Sequence, residues 1–195
     1  WGGEPPMVLG HEAAGVVEAV GAGVSGIAPG DHVVVTLIRS CGTCYYCSGG
    51  HQVLCEEVFP LDRQSPLSNG NGETLVHGLR TGAFAEKLVV EKSQVAVIPK
   101  EIAFAPASLL ACGVITGFGA GTNTAQIHAG SHVAVIGCGG VGLNAVQGAY
   151  AAGAETIAAI DLSDEKLEAA KRFGATHAYN PKDPDHRDKL LAETG

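Results

Sequence analysis

At 195 residues the chain has room for one large or two small domains, and with 46% hydrophobic, 28 glycine and only 16% charged residues it is globular rather than disordered or fibrous. A formal net charge of -8 without a visible basic patch argues against a nucleic-acid partner. No uninterrupted apolar run approaches a membrane span, so no membrane partner is expected.

Residues 1–10 are rich in turn formers. Gly10-His11-Glu12-Ala13-Ala14-Gly15 follows, and Val16–Val20 reads as a strand ended by Gly21-Ala22-Gly23. After the Pro29-Gly30-Asp31 turn, the β-branched run from His32 to Ile38 predicts a second strand. Cys41, Cys44, Cys47 and Cys55 come next, in the pattern C-x2-C-x2-C-x7-C. Such a cluster is either a disulfide framework or a metal site. The paired x2 spacings suit thiolates converging on one tetrahedral ion, and zinc favours four sulfurs in closed structural sites. The flanking Ser, Thr, Gly, Tyr, His and Gln make a poor core segment for buried thiols. Cysteines grouped as metal ligands point to a reducing compartment, most simply the cytoplasm. No signal peptide is recognisable. The chain starts at Trp1 and its only methionine is Met7, so the natural start is expected upstream.

Residues 59–82 are polar, with Pro60, Pro66 and Asn69-Gly70-Asn71-Gly72, and read as a long surface loop. Ala83–Val90 and Gln94–Ile98 return to strand. From about residue 105 the texture changes to small, helix-compatible residues. His132–Ile136 is an apolar run of the buried parallel-strand type. It leads into Gly137-Cys138-Gly139-Gly140-Val141-Gly142, then a helix over Leu143–Ala152 and a strand over Thr156–Asp161. Ser163 is a predicted helix N-cap with a helix over Lys166–Phe173. Ala178–Asn180 starts a third strand, and Lys189–Ala192 lies on a short helix. There is no internal repeat or low-complexity segment.

The glycine loop is the second chemical signal. With 28 glycines a bare G-x-G-x-x-G carries little, but here a strand precedes it, a helix follows, and an acid ends the next strand. Gly137 makes the tight turn, Gly139 admits a pyrophosphate to the backbone, and Gly142 lets helix pack on strand. The helix N-terminus offers unpaired N–H groups to phosphate. Asp161 lies near the spacing of an acid that bonds the adenine ribose hydroxyls. Its charge would repel the extra phosphate of NADP, and neither Leu162 nor Ser163 offsets it, which favours NAD. Taken singly, His11 reads as an ordinary hydrogen-bonded histidine, Glu12 as a surface carboxylate and Cys112 as a small buried hydrophobe.

In combination these features carry more. GHEAAGVVEAVG, the cysteine cluster, ACGVITGFGA and GCGGVG, in that order, resemble the zinc-dependent alcohol dehydrogenases of the medium-chain dehydrogenase/reductase superfamily. The resemblance covers nearly the whole chain, with 59–80 least informative. It implies an α/β protein with a β-rich part: a partial GroES-like catalytic domain over 1–112, then the first half of a Rossmann NAD-binding domain over 113–195. It implies that His11 and Cys112 are ligands of a catalytic zinc, with Glu12 behind it, and that Cys41, Cys44, Cys47 and Cys55 hold a structural zinc. Thr116 and Val141 match positions holding the nicotinamide ring, alongside Gly137, Gly139, Gly140, Gly142 and Asp161 in the cofactor site. Leu37 matches a substrate-pocket position. The implied reaction is hydride transfer from a primary or secondary alcohol to NAD, giving an aldehyde or ketone. The long span from Cys55 to Phe84 is similar to that of animal-type and glutathione-dependent formaldehyde dehydrogenases. A polyol or thiol-adduct formaldehyde dehydrogenase, or a non-catalytic zinc and nucleotide-binding module, are the alternatives. The family's first catalytic cysteine and proton relay have no counterpart here, since no cysteine precedes Cys41. The expected setting is therefore a longer enzyme, a homodimer or homotetramer with two zinc ions per subunit, acting on a small-molecule alcohol or aldehyde.

Overall fold

The computed structural model describes residues 4–194, which divide between Cys112 and Gly113 into two compact units.

The first unit is built on short strands. β1 (Met7–Val8) pairs in parallel with β4 (Val76–His77). β2 (Ala13–Val16), β3 (His32–Val35) and β5 (Val95–Val97) form an antiparallel sheet with β3 in the middle. The register places Ala13 opposite Val35 and Val33 opposite Val97. Val33, Val34 and Val35 are all buried, which explains a continuous β-branched run instead of alternation. Helix α3 (Phe104–Leu109) lies on this sheet, and Ala107 and Ala111 pack on Val34. Between β3 and β4 run the short helices α1 (Tyr45–Ser48) and α2 (Pro60–Arg63). Proline at the first helical position and the bond from Phe59 N to Asp62 Oδ2 (3.1 Å) start α2.

Three predicted strands differ in extent. The 16–20 strand instead spans Ala13–Val16, and only Val17 continues the ladder, through Asp31 and Gly30. Thr36 N–H to Gln94 O (2.9 Å) is the last bond of the β3–β5 register, and β3 ends there because Gln94 N turns to Glu91 O and leaves the Thr36 carbonyl to the Gln94 side chain (2.8 Å). The strand expected over 83–90 does not form. Ala83 N and Phe84 N bond the carbonyls of Gly10 and Leu9 instead, and the Phe84 ring is 80% exposed. The 59–82 loop carries more order than expected: α2, β4, a 3-10 turn over Gly78–Arg80, and a bridge between Ser68 and Thr74.

In the second unit, β6 (His132–Ile136), β7 (Thr156–Ile160) and β8 (His177–Tyr179) form a parallel sheet in that order. Helices α5 (Gly140–Ala151) and α6 (Asp164–Arg172) connect them. Helix α7 (His186–Thr194) follows β8. Val135, Cys138, Val146, Ala149, Ile157, Ala159, Leu167 and Ala170 form the core. Ser163 caps α6 by accepting from Lys166 N, with Asp164 and Glu165 in its first turn and Lys171 and Arg172 in its last, each complementing the helix dipole. Helix α4 (Ile115–Gly119) approaches α5 closely: a Cβ on Gly117 would lie 2.1 Å from Val141 O.

The helical stretch Phe104–Thr124 is, by length and composition alone, long and apolar enough to cross a membrane, with mean hydropathy 1.5. It has no uninterrupted apolar run because glycine, serine, threonine and asparagine are scattered through it. That stretch contains two π-helical turns, Leu110–Val114 and Ala120–Thr124.

Candidate functional site

The cysteine lobe leaves β3 and folds around its own sulfurs. Cys41, Cys44, Cys47 and Cys55 have all four Sγ atoms within 4.8 Å of one another. Cys41 Sγ lies 3.9 Å from Cys47 Sγ, and Cys44 Sγ 4.0 Å from Cys55 Sγ. Those spacings are far too long for disulfides. They match the edge of a tetrahedron with metal–sulfur bonds of about 2.3 Å, close to 3.8 Å. The backbone is wrapped to donate to sulfur: Thr43 N (3.4 Å) and Cys44 N (3.2 Å) to Cys41, and Cys41 N (3.3 Å) to Cys55. The amides of Thr43 and Cys44 pull the Cys41 thiol down to about 6, and that of Cys47 lowers Cys44. Burial pushes the Cys47 thiol up to about 12. The Cys41 sulfur is therefore poised as thiolate near neutral pH, while the Cys47 thiol keeps its proton until a bound metal ion displaces it. Four sulfurs leave no open position, so this donor set suits a structural zinc.

His11, Glu12 and Cys112 form the second cluster, with one ligand atom each within 4.8 Å of the others and all three half-buried. Gly10 sets the approach to His11. Its φ is +94°, and a Cβ there would sit 2.7 Å from Phe84 N. The backbone bonds from Ala83 and Phe84 hold this close contact. Cys112 lies in the π-helical turn after α3, a distortion common at functional sites. Its neighbour Ala111 is buried against Val34 and accepts from Thr36. An imidazole, a thiol and a carboxylate are a donor set suited to zinc with a position left over. Leu37 follows Thr36 directly and is half-buried.

The glycine loop of the second unit joins β6 to α5. Gly137 has φ +91°, in the left-handed region open to glycine. A Cβ on Gly142 would fall 1.8 Å from Gly137 O, so this glycine is demanded by packing. Gly139 and Gly140 differ: a Cβ on either meets nothing within 4 Å. The space over them at the helix N-terminus fits a phosphate-bearing cofactor. Asp161, just after β7, closes the loop: Oδ2 accepts from Cys138 N (2.7 Å) and Oδ1 from Ser163 N (2.9 Å). These amides hold its carboxyl below the usual range, so it is ionised. Thr116 on α4 and Val141 on α5 are both exposed.

Sequence reasoning missed a buried polar network beside the metal clusters. Arg39 is only 3% exposed. Its Nε donates to Gln94 Oε1 (2.8 Å), Nη1 pairs with Asp62, and Nη2 donates to Arg80 O (3.1 Å). Gln94 Nε2 donates in turn to Thr36 O (2.8 Å) and Arg80 O (3.0 Å). The one hint in the sequence is an arginine two residues before Cys41, and nothing local names its partners.

Comparison with known proteins follows the same outline. Residues 1–100 match the alcohol dehydrogenase GroES-like domain, and residues 140–195 match the zinc-binding dehydrogenase family. The chain is 43% identical over 183 residues to the alcohol dehydrogenase class-3 of Caenorhabditis elegans, covering 91% of this chain and 48% of that one. It is 44% identical over 194 residues to an S-(hydroxymethyl)glutathione dehydrogenase of Escherichia coli, covering 95% and 53%. Among solved structures, an alcohol dehydrogenase zinc-binding domain protein from Burkholderia ambifaria superposes with TM-score 0.89 at 41% identity, covering 97% of this chain and 53% of that one. Benzyl alcohol dehydrogenase from Acinetobacter calcoaceticus gives 0.84 at 32%, covering 100% and 55%. The chain spans about half the length of the curated relatives it matches.

Proposed function

The chain belongs to the zinc-binding dehydrogenases with an alcohol dehydrogenase GroES-like domain, and from that membership we propose that the protein is a zinc-dependent oxidoreductase passing a hydride from a primary or secondary alcohol to NAD. The observation that carries this reading is that Cys112 meets the distant His11-Glu12 pair, with one ligand atom of each within 4.8 Å of the others. A structural lobe alone would need no such second centre. When bound, zinc supplies Lewis-acid polarisation of an oxygen, and NAD supplies the hydride acceptor.

The protein's own residues do the holding. His11 and Cys112 are the zinc ligands, and Glu12 offers a third donor beside them. Cys41, Cys44, Cys47 and Cys55 hold a second ion that gives the lobe its shape. Gly139 and Gly140 admit the pyrophosphate to the backbone at the start of α5. The ionised Asp161 accepts from the ribose hydroxyls and repels a 2′-phosphate, which selects NAD over NADP. Thr116 and Val141 support the nicotinamide, and Leu37 gives the substrate an apolar wall. The domains are 1–112 for catalysis and 113–195 for cofactor. The protein acts on a small alcohol or aldehyde in the cytoplasm, as a homodimer or homotetramer.

A second reading has a specific observation behind it: several relatives at 41–44% identity are S-(hydroxymethyl)glutathione dehydrogenases. A thiol adduct of formaldehyde is then the alcohol. Zinc counting and a substrate panel test both. Two zinc ions per chain with NAD reduction on simple alcohols supports the first reading. Activity only with formaldehyde plus glutathione supports the second. One zinc and no NAD binding refutes both.

A further inference from the structure

We propose that Thr36 is a positioning residue for the His11/Cys112 centre, and that the buried Arg39–Gln94 pair holds it there; this rests on the zinc reading above. Every hydrogen-bonding group of Thr36 is committed. Its N–H donates to Gln94 O (2.9 Å) and its carbonyl accepts from Gln94 Nε2 (2.8 Å). Its hydroxyl donates to Ala111 O (3.1 Å), the residue before Cys112. A π-helical turn leaves carbonyls out of the ordinary helical ladder, so an outside donor to Ala111 helps fix its shape.

Gln94 is itself immobilised. It is 1% exposed, and its Oε1 accepts from Arg39 Nε (2.8 Å) and Glu91 N (3.1 Å). Arg39 is anchored across the base of the cysteine lobe. It stands just before Cys41, and its partner Asp62 lies on α2, beyond Cys55. A buried guanidinium is costly unless it is paired and hydrogen-bonded, and here each of its three nitrogens has a partner. The chain of contacts thus runs from the lobe base through Arg39, Gln94 and Thr36 to the Cys112 turn. Such outer partners typically change metal affinity ~10–100-fold.

The test compares Thr36→Val, which keeps the β-branched shape and loses the hydroxyl, with Thr36→Ser, which keeps the hydroxyl. Each zinc-loaded protein is treated with an alkylating reagent, and the labelling rate of each cysteine is read by mass spectrometry. In Thr36→Val, Cys112 labelling accelerates at least ~10-fold, while Cys41, Cys44, Cys47 and Cys55 keep their wild-type rates. Thr36→Ser returns Cys112 to within about threefold of wild type. Equal Cys112 rates in wild type and Thr36→Val overturn the positioning role, as does uniform acceleration at all five cysteines. Wild type that protects only the four lobe cysteines overturns the zinc reading itself, and the positioning role with it.

Discussion

Two glycines of one loop are required for different reasons, and alanine at each separates them. Gly142 is needed by the fold. A Cβ there lies 1.8 Å from Gly137 O, where real Cβ atoms essentially never come within 3.0 Å. The first turn of α5 must move, and Val146 and Ala149 of the same helix sit in the core. Overpacking of this kind costs about 3 kcal/mol, and alanine returns roughly 1 kcal/mol of helix propensity. Gly142→Ala should therefore lose about 2 kcal/mol in urea unfolding followed by circular dichroism. Gly139 is different. Its φ of -79° suits any residue, and a Cβ meets nothing. Its alanine variant loses no more than about 1 kcal/mol, from a poorer N-cap. If the space above it is for a pyrophosphate, Gly139→Ala weakens NADH binding, read by fluorescence titration, by tenfold or more, about 1.4 kcal/mol. A Gly139→Ala protein that binds NADH like wild type would show that the open space is not the cofactor's. A Gly142→Ala protein with unchanged unfolding would show that the helix does not approach the loop so closely.

His11→Ala should lower the zinc content from two ions to one and abolish turnover, with thermal unfolding little changed; retained turnover would remove His11 from the centre. Cys44→Ser should also lose one zinc, but at a cost of several kcal/mol in stability, because binding energy at a closed site is folding energy. Loss of activity in Cys44→Ser with folding and zinc content intact would contradict this division of roles. Tyr179 gives an alkaline signature. Burial first, then its bond to Glu193, raise its phenol from 10.0 to about 12. The native state keeps the proton while the unfolded chain releases it, so stability is lost as pH rises above 10 and levels off beyond the folded value. Between pH 9 and 11 this amounts to about 1 kcal/mol. Tyr179→Phe should flatten that part of the wild-type profile in urea titrations, and an unaltered slope would refute the assignment.

What could be read from the chain, and what could not, divides by distance in sequence. The glycine loop and its Asp161 were legible because strand, turn and helix are contiguous, and each glycine answers a local demand. The cysteine lobe was legible for the same reason: fifteen residues contain all its sulfurs. His11 and Cys112 were bland singly. They meet because Gly10 packs on Phe84 and because Ala107 and Ala111 seat the helix on Val34. Neither contact leaves a spacing to count, so only the order of motifs joined them. The strand expected over 83–90 failed by the same logic, since its residue types favour a strand but its first amides are taken by Leu9 and Gly10. Arg39 is the extreme case. An arginine between Ile38 and Ser40 looks like a solvated side chain, yet it is buried because Asp62, Gln94 and the Arg80 carbonyl converge on it from three separate segments. Residues that carry the chemistry can be found by type and spacing. Those that hold them in place, such as Thr36 and Gln94, are of ordinary types and emerge only when each buried donor is followed to its acceptor.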